Sequence, residues 1–214
     1  MNLALGSTVR CSDGAARELA DIVVDAQARR VTHLVVQPKR KHEEARLVSL
    51  QLAGEDDKGG VSLFCTAETL DGLELVREYA YLPAGQQPEE NAKWDVGVED
   101  VLVVPSVEPL DMAEPELDPN VNLMYDRVPK GEVELRMTSS VYSADEHRVG
   151  SVNGLVVGED GAITILTLQR GHLWWRREVS VPVDAIASLE NDVATLAVEK
   201  DELKRFPSRR RGSS

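Results

Sequence analysis

Residues 179–184 read Val-Ser-Val-Pro-Val-Asp, with an apolar residue at every second position. Residues 133–137, Val-Glu-Leu-Arg-Met, alternate in the same way. A period of two is typical of strands that bury one face. Turn signals such as Ser-Asp-Gly at 12–14 and Glu-Asp-Gly at 159–161 interrupt the chain at short intervals. We therefore predict a mainly β protein whose short antiparallel strands form small barrels or sandwiches.

Residues of the first half recur in the second half at a nearly constant distance. Val9, Asp13, Val31 and Leu34 are followed 132 positions later by Val141, Asp145, Ile163 and Leu166. Further along each half the spacing drifts between 131 and 133, as small loop insertions would cause. A repeat of roughly 75 to 80 residues is too long for a solenoid unit. We therefore predict an internal duplication with two domains, 3–82 and 132–207, each with its own aliphatic core.

The segment between the copies, 83–131, is predicted to be an acidic, proline-rich connector. It holds seven of the ten prolines, and residues 86–130 carry eleven acidic residues against three basic ones. Residues 98–104 within it read as a strand, so part of the connector is expected to be ordered. Helical turns at 68–79 and 200–206 are expected to cap the open ends of the barrels. The tail 208–214 has no apolar residue and is predicted to be disordered.

The composition narrows the functional classes. A net charge of −13 and a pI near 4.8 argue against a general nucleic-acid binder. No apolar run is long enough to cross a bilayer and the start of the chain does not resemble a secretion signal, so we expect a cytoplasmic protein. Cys11 and Cys65 lie in strand-like runs and are interpreted as buried small hydrophobic residues, in preference to a redox or metal role.

The strand pattern resembles the PRC-barrel superfamily. The resemblance rests on 143–152 (Ser-Ala-Asp-Glu-His-Arg-Val-Gly-Ser-Val), 163–166 (Ile-Thr-Ile-Leu) and 179–186 (Val-Ser-Val-Pro-Val-Asp-Ala-Ile). The first copy departs from it: 19–22 stands where 149–152 stands, and 49–51 lacks the proline. The resemblance implies two PRC-type β-barrels in tandem that pack as a pseudo-dimer. Related barrels occur in the photosynthetic reaction-centre H subunit and in the ribosome maturation factor, where the barrel contacts other proteins.

The candidate interaction site is a basic, aromatic stretch at 170–177 that the repeat predicts to be a hairpin tip. Its counterpart in the first copy is the basic stretch 39–46, so two similar loops suggest one binding face. Tryptophan and arginine gain most from desolvation at interfaces. The opposing interpretation is a structural protein with no exposed site, in which a tryptophan folds back over a barrel and the arginines pair with the acidic connector. The predicted interaction residues are Arg170, His172, Trp174, Trp175, Arg176, Arg177, Lys39, Arg40 and Lys41.

No sequence motif points to catalysis. The four histidines show no metal-ligand spacing, and no phosphate-binding loop or nucleophile elbow is present in the sequence. The run Asp145-Glu146-His147 is interpreted as a solvated turn. We therefore predict a non-enzymatic adaptor or regulatory module, without cofactor or metal, that binds a protein through the basic loops. Association with RNA or the ribosome is the alternative, because arginine and tryptophan also suit a nucleic acid.

Overall fold

A computed structural model describes residues 1–39, 44–57, 59–83, 94–95, 120–126, 128–129, 131–171, 177–190 and 192–210. The predicted fold class is confirmed at its coarse level, because the described chain is mainly β-strand. Its one α-helix, α1, is Ala67–Asp71. Within the described residues, no helix has the length and apolar composition needed to span a membrane.

The first half of the chain forms one curled sheet. Its strands lie in the order β5-β4-β3-β2-β7-β6, and the pairing of β2 with β7 is parallel. We call this the first sheet. The ranges of these strands, and of the strand β1 that precedes them, are β1 Asn2–Ala4, β2 Thr8–Arg10, β3 Ala16–Asp25, β4 Arg30–Gln37, β5 Arg46–Ser49, β6 Ala53–Glu55 and β7 Val61–Leu63.

Parts of the connector are ordered as two strand pairs. β8 (Arg77–Pro83) pairs antiparallel with β10 (Asn120–Asp126), and β9 (Trp94–Asp95) pairs with β11 (Val128–Pro129). The strand predicted at 98–104 lies outside the described residues. The helix predicted at 68–79 is wrong in its second half, because α1 is followed by Gly72 and the chain then extends into β8.

The second half forms the second sheet, with strand order β17-β18-β13-β14-β15-β16-β19. Here too the central pairing, β13 with β18, is parallel. Ser208–Arg210, predicted to belong to a disordered tail, forms β19 along β16, because backbone pairing needs no apolar side chain. The strands are β12 Glu132–Leu135, β13 Ser140–Tyr142, β14 Arg148–Val157, β15 Ile163–Arg170, β16 Arg177–Pro182, β17 Ile186–Glu190, β18 Val193–Leu196 and β19 Ser208–Arg210.

The two sheets share their strand order and their irregularities. The order β5-β4-β3-β2-β7-β6 is matched strand for strand by β16-β15-β14-β13-β18-β17. The β3–β4 ladder shifts register between Leu19 and Asp21, and the β14–β15 ladder shifts between Val152 and Gly154, 133 positions later (152 − 19, 154 − 21). Leu19 therefore corresponds to Val152, whereas the sequence alignment had placed it at Val149.

Each sheet receives a strand from the other half of the chain. β1 pairs with β14, so that Leu3 lies opposite Leu155. β12 pairs with β3, so that Leu135 lies opposite Ile22. The two exchanged strands begin the two halves and occupy corresponding places, since each pairs with the C-terminal part of the long strand, β14 or β3, of the other half. We call this arrangement the strand exchange.

The strand exchange merges the two interiors. One cluster of buried apolar side chains includes Leu3, Ile22 and Leu34 from the first half and Leu135, Leu155 and Leu166 from the second. The prediction of separate cores is therefore wrong, because the exchanged strands carry core residues across the boundary. A smaller cluster covers the opposite face of the first sheet and consists of Val23, Val35, Ala45, Val76 and Val128.

Short connections force both sheets to curl. β5 and β6 lie at opposite ends of the first sheet, yet only the 3-10 turn Leu50–Leu52 joins them. In a flat sheet the two ends of six strands would be roughly 24 Å apart, whereas four residue steps reach at most about 14 Å. The turn Val183–Ala185 joins β16 and β17 in the same way. Among the described residues, no ladder pairs β5 with β6 or β16 with β17, so neither sheet is closed.

Candidate interaction surface

The structure describes three of the nine predicted interaction residues. Lys39 follows β4 and is exposed, Arg170 ends β15 and is half-buried, and Arg177 begins β16 and is exposed. The other six lie outside the described residues: Arg40, Lys41, His172, Trp174, Trp175 and Arg176.

The two basic stretches connect corresponding strand pairs. β15 and β16 pair antiparallel up to Arg170, which lies directly opposite Arg177. In the first sheet, β4 and β5 pair antiparallel with Val36 opposite Arg46. The stretch 171–176 therefore joins two paired strands, as the repeat predicted.

A third arginine extends this pair. Arg210 of β19 lies opposite Arg177 in backbone register, and Arg209 lies opposite Glu178. Arg170, Arg177 and Arg210 are therefore aligned in backbone register across three neighbouring strands, and we call this alignment the arginine row. Like charges placed directly opposite each other on a sheet are destabilising. The sequence analysis missed Arg210 because it assigned the basic run at 209–211 to a disordered tail.

The arginine row lies where the core ends. Alternate residues on a strand share a face, so Arg170 follows the buried Leu168 and Arg177 precedes the buried Val179 on the core-facing side. The two arginines are nevertheless half-buried and exposed. They therefore stand at the rim of the second sheet, beyond its apolar interior.

In the first sheet, Arg46 of the corresponding stretch 39–46 makes a hydrogen bond that stabilises the fold. The Arg46 guanidinium donates from Nη1 to the Leu73 carbonyl oxygen at 2.9 Å. Backbone contacts hold the same segment, since the Val76 N–H donates to the Ala45 oxygen at 3.0 Å. Arg46 therefore fixes the chain after α1 against the edge of β5.

The strand ends that carry Lys39 and Arg170 point away from each other. The halves meet where Arg30 bridges Ala162 in antiparallel fashion, and the Val31 N–H donates to the Gly161 oxygen at 3.0 Å. From this contact β4 runs toward Lys39 and β15 runs toward Arg170 in opposite directions. Residues 40–43 and 172–176 lie outside the described residues, so the single binding face formed by both loops stays a prediction, and the arginine row is formed by strands of the second sheet alone.

The hydrogen bonds of Asp145 and its ion pair with His147 indicate a structural role for these two residues. Asp145 Oδ1 accepts the Lys200 N–H at 3.0 Å, and its Oδ2 lies 2.9 Å from His147 Nδ1. The Ser143 hydroxyl and then the Lys200 N–H lower the pKa of Asp145 to about 2. The Ser143 hydroxyl also donates to the His147 carbonyl oxygen at 3.1 Å. Because this hydroxyl has two acceptors and the Lys200 N–H has one, the Lys200 N–H is the more constant hydrogen-bond donor to Asp145. A carboxylate with so low a pKa is a poor proton acceptor at neutral pH.

The cysteines differ in burial. Cys11 is buried, as predicted, and burial raises the pKa of its thiol. Cys65 is half-buried at the margin of the main core, so the prediction for this residue was too strong. Both thiols are free. Within the described residues, no group of three or more histidine, cysteine, aspartate or glutamate side chains is placed to hold a metal ion.

A polar contact that the sequence did not indicate secures the exchanged strand β12. The Thr32 hydroxyl donates to Glu132 Oε2 at 2.5 Å, and His33 Nδ1 lies 3.6 Å from the same oxygen. Thr32 and His33 are consecutive on β4, while Glu132 begins β12. Thr32 and Glu132 are 100 positions apart, so no local pattern reveals the contact.

No protein-family model matches this chain, and no curated protein sequence is significantly similar to it.

Proposed function

We propose that this protein is a non-enzymatic adaptor that binds a protein partner through the basic rim of the second sheet. The observation that carries the proposal is the arginine row: Arg170 and Arg177 lie directly opposite each other in a chain of net charge −13. Such a placement costs folding free energy through repulsion. An anionic surface of a partner offsets that cost, and the adjoining Trp174 and Trp175 supply apolar anchor groups in the sequence.

The adaptor role also fits the resemblance to tandem PRC-barrels, whose relatives use the barrel for protein contact. Two features support an assignment of each half to one open barrel. The sheets repeat the same strand order, and the four-step connections bring the ends of each sheet together. In this proposal the protein acts in the cytoplasm, and the two barrels form a pseudo-dimer completed by the strand exchange.

The test is affinity capture from the native cytoplasm, followed by mass spectrometry. The baits are the wild-type chain, Trp174→Ala/Trp175→Ala, Arg170→Ala/Arg177→Ala and the control Arg205→Ala, whose side chain is 81% exposed on another element. We expect both double variants to lose the same captured protein and the control to retain it. If both double variants retain every protein that the wild type captures, the proposal is wrong.

RNA association is the second candidate, and the arginine row is also the observation that favours it, because guanidinium groups bind phosphate. The net charge of −13 opposes it, since the whole chain repels a polyanion. A filter-binding assay with polyuridylate at low salt separates the candidates. Retention that falls steeply with added salt and is lost in Arg170→Ala/Arg177→Ala would favour RNA, whereas no retention removes it.

A further inference from the structure

The segment β19 has a counterpart in the first half, and that counterpart continues into a strand that is paired with another strand. Val179 lies opposite Ser208 in the second sheet, and Arg46 bridges Leu75 in the first, 133 positions earlier in each case (179 − 46, 208 − 75). The chain after the helical turn therefore returns along the same strand in both halves. In the first half this returning chain continues from Leu75 into β8, which takes β10 as an antiparallel partner over seven residues.

Among the described residues, no strand pairs with the outer edge of β19. The Ser180 N–H donates to the Pro207 oxygen at 3.0 Å, so Pro207 and Arg209 turn their backbone groups toward β16. Because these groups alternate along an antiparallel strand, those of Ser208 and Arg210 face outward. Within the part of the chain that the structure describes, these outward N–H and C=O groups have no strand partner, and such edges are the kind to which extended peptides add.

Charge indicates what kind of strand fits this edge. β10, which pairs with the continuation of this chain from Arg77 onward, lies in a stretch from 94 to 126 that contains no lysine or arginine. The β19 edge, by contrast, carries the exposed Arg209 and lies beside Arg177 and Arg170. An acidic strand complements this surface, whereas a basic or a second identical edge is repelled by it.

We propose that an extended acidic segment of the partner protein adds to β19 as a further strand of the second sheet, attracted by the positive charge of Arg170, Arg177 and Arg209. This inference rests on the proposed function and names the chemistry of the partner. Main-chain hydrogen bonds to Ser208 and Arg210 hold the segment, and the arginines select it by charge.

The probe is a fluorescently labelled peptide with the sequence of residues 114–126, Glu-Pro-Glu-Leu-Asp-Pro-Asn-Val-Asn-Leu-Met-Tyr-Asp, measured by polarisation against the full chain at low salt. A neutral version replaces its acids by glutamine and asparagine. Ser208→Pro removes the outward N–H without touching the bonds to β16, and Ser208→Ala is the matched control that keeps it. Arg170→Glu/Arg177→Glu tests the charges, and Arg205→Glu is the matched surface control.

We expect saturable binding of the acidic peptide that weakens about tenfold or more with the neutral peptide, with Ser208→Pro and with Arg170→Glu/Arg177→Glu, as the loss of one charge-assisted or main-chain contact implies. Ser208→Ala and Arg205→Glu should bind as the wild type does. Melting temperatures of all variants establish that they are folded.

Several outcomes overturn the inference. The inference is wrong if the peptide fails to bind. It is also wrong if Ser208→Pro binds the peptide as the wild type does, because the peptide then binds elsewhere, for example at β8. Sedimentation that shows a dimer abolished by Ser208→Pro would instead assign the edge to a second copy of the chain. If the peptide fails while the captured protein still depends on Trp174 and Trp175, strand addition is wrong but the adaptor function stands.

Discussion

Asp13 and Asp145 do the same work in the two halves. Asp13 Oδ2 accepts the N–H of Ala67 at 3.0 Å, and Asp145 Oδ1 accepts that of Lys200 at 3.0 Å. Ala67 begins α1, and Lys200 precedes the 3-10 turn Glu202–Arg205. Each carboxylate thus fixes the start of a helical turn to the first hairpin of its sheet. The duplicated aspartates are therefore structural residues.

At the residue scale, we predict that Asp145→Asn changes the pH dependence of stability. The pKa of Asp145 falls from 3.8 to about 2 in the folded chain. A lowered carboxyl pKa stabilises the fold above the unfolded pKa, and this contribution is lost as the pH falls through the folded pKa. The wild type should therefore melt above Asp145→Asn at pH 7, and the difference should disappear between pH 3.8 and about 2.

Asp57→Asn, at an exposed aspartate in a turn, is the control for this experiment. It should melt with the wild type across the whole pH range. A gap between wild type and Asp145→Asn that persists unchanged below pH 2 would show that the charge of Asp145 is not responsible.

The two thiols should differ in reactivity. Burial raises the pKa of Cys11, so less thiolate is present at pH 8 and the reagent reaches it poorly. Iodoacetamide should therefore modify the half-buried Cys65 faster than Cys11 in the folded protein, as followed by peptide mass spectrometry. Both should react at similar rates in urea, and equal rates in the folded protein would contradict the observed burial.

At the scale of elements, Gly154 permits the strand exchange. A Cβ atom at this position would lie 2.2 Å from the Leu3 carbonyl oxygen and 2.9 Å from the Ala4 Cα. Gly154→Ala should therefore displace β1 and lower the free energy of unfolding by about 1–3 kcal/mol in urea titrations. The control Gly72→Ala, whose nearest contact would be 3.4 Å, should have a much smaller effect.

A chain that lacks residues 1–5 completes this test. Without β1, the clash with Leu3 and Ala4 is gone, so Gly154→Ala should cost clearly less there and retain only the backbone strain of its φ of +159°. An equal loss of stability in the full and the truncated chain would show that the cost has another source.

The helical turns close the core in both halves. Leu70 of α1 and Leu203 of the second turn are each 1% exposed, and they lie 133 positions apart (203 − 70). Leu70→Ala and Leu203→Ala should each lower the free energy of unfolding by about 2–5 kcal/mol, as measured in urea. Leu52→Ala, at a side chain that is 38% exposed, should cost far less, and similar losses at all three positions would contradict the capping role.

The strands were predictable because alternation is a local signal. The patterns at 133–137 and 179–184 predicted β12 and β16, and the turn signals marked the hairpins between strands. The helix predicted at 68–79 was too long because the apolar residues of this region have helical spacing. They pack into different clusters, since Leu70 belongs to the main core and Val76 to the smaller cluster. Gly72 ends the helix, and tertiary packing determines the rest.

The strand exchange and the arginine row could not be predicted from the sequence, for a different reason. β1 and β12 read equally well as strands of their own halves, because a strand pattern does not specify which edge it pairs with. Arg210 joined Arg170 and Arg177 only through the pairing of β19 with β16, which rests on backbone hydrogen bonds. The predicted site at 170–177 therefore contained one part of the basic surface and omitted its outer strand.

At the scale of the whole molecule, the shared core and the exchanged strands predict one cooperative folding unit. Fragments 1–131 and 132–214 should each melt at a lower temperature than the full chain, because each lacks one exchanged strand and half of the core. Mixing them should restore a single sharp transition. The measurement is circular dichroism on the separate and mixed fragments.

The concentration dependence of melting is the control for this experiment. The melting temperature of the fragment mixture should rise with protein concentration, whereas that of the intact chain should not. A fragment that melts alone at the temperature of the full chain would show that its sheet needs no strand from the other half.

The strand exchange also determines how the protein responds to dilution. A half-length chain with this strand order would have one vacant edge and one spare strand, so two of them would fill each other's gaps only at sufficient concentration. The connector joins the two partners covalently, so their pairing is intramolecular and does not depend on the concentration of the protein. The paired halves therefore stay together however dilute the protein is, and the arginine row always lies on a sheet that has received its exchanged strand.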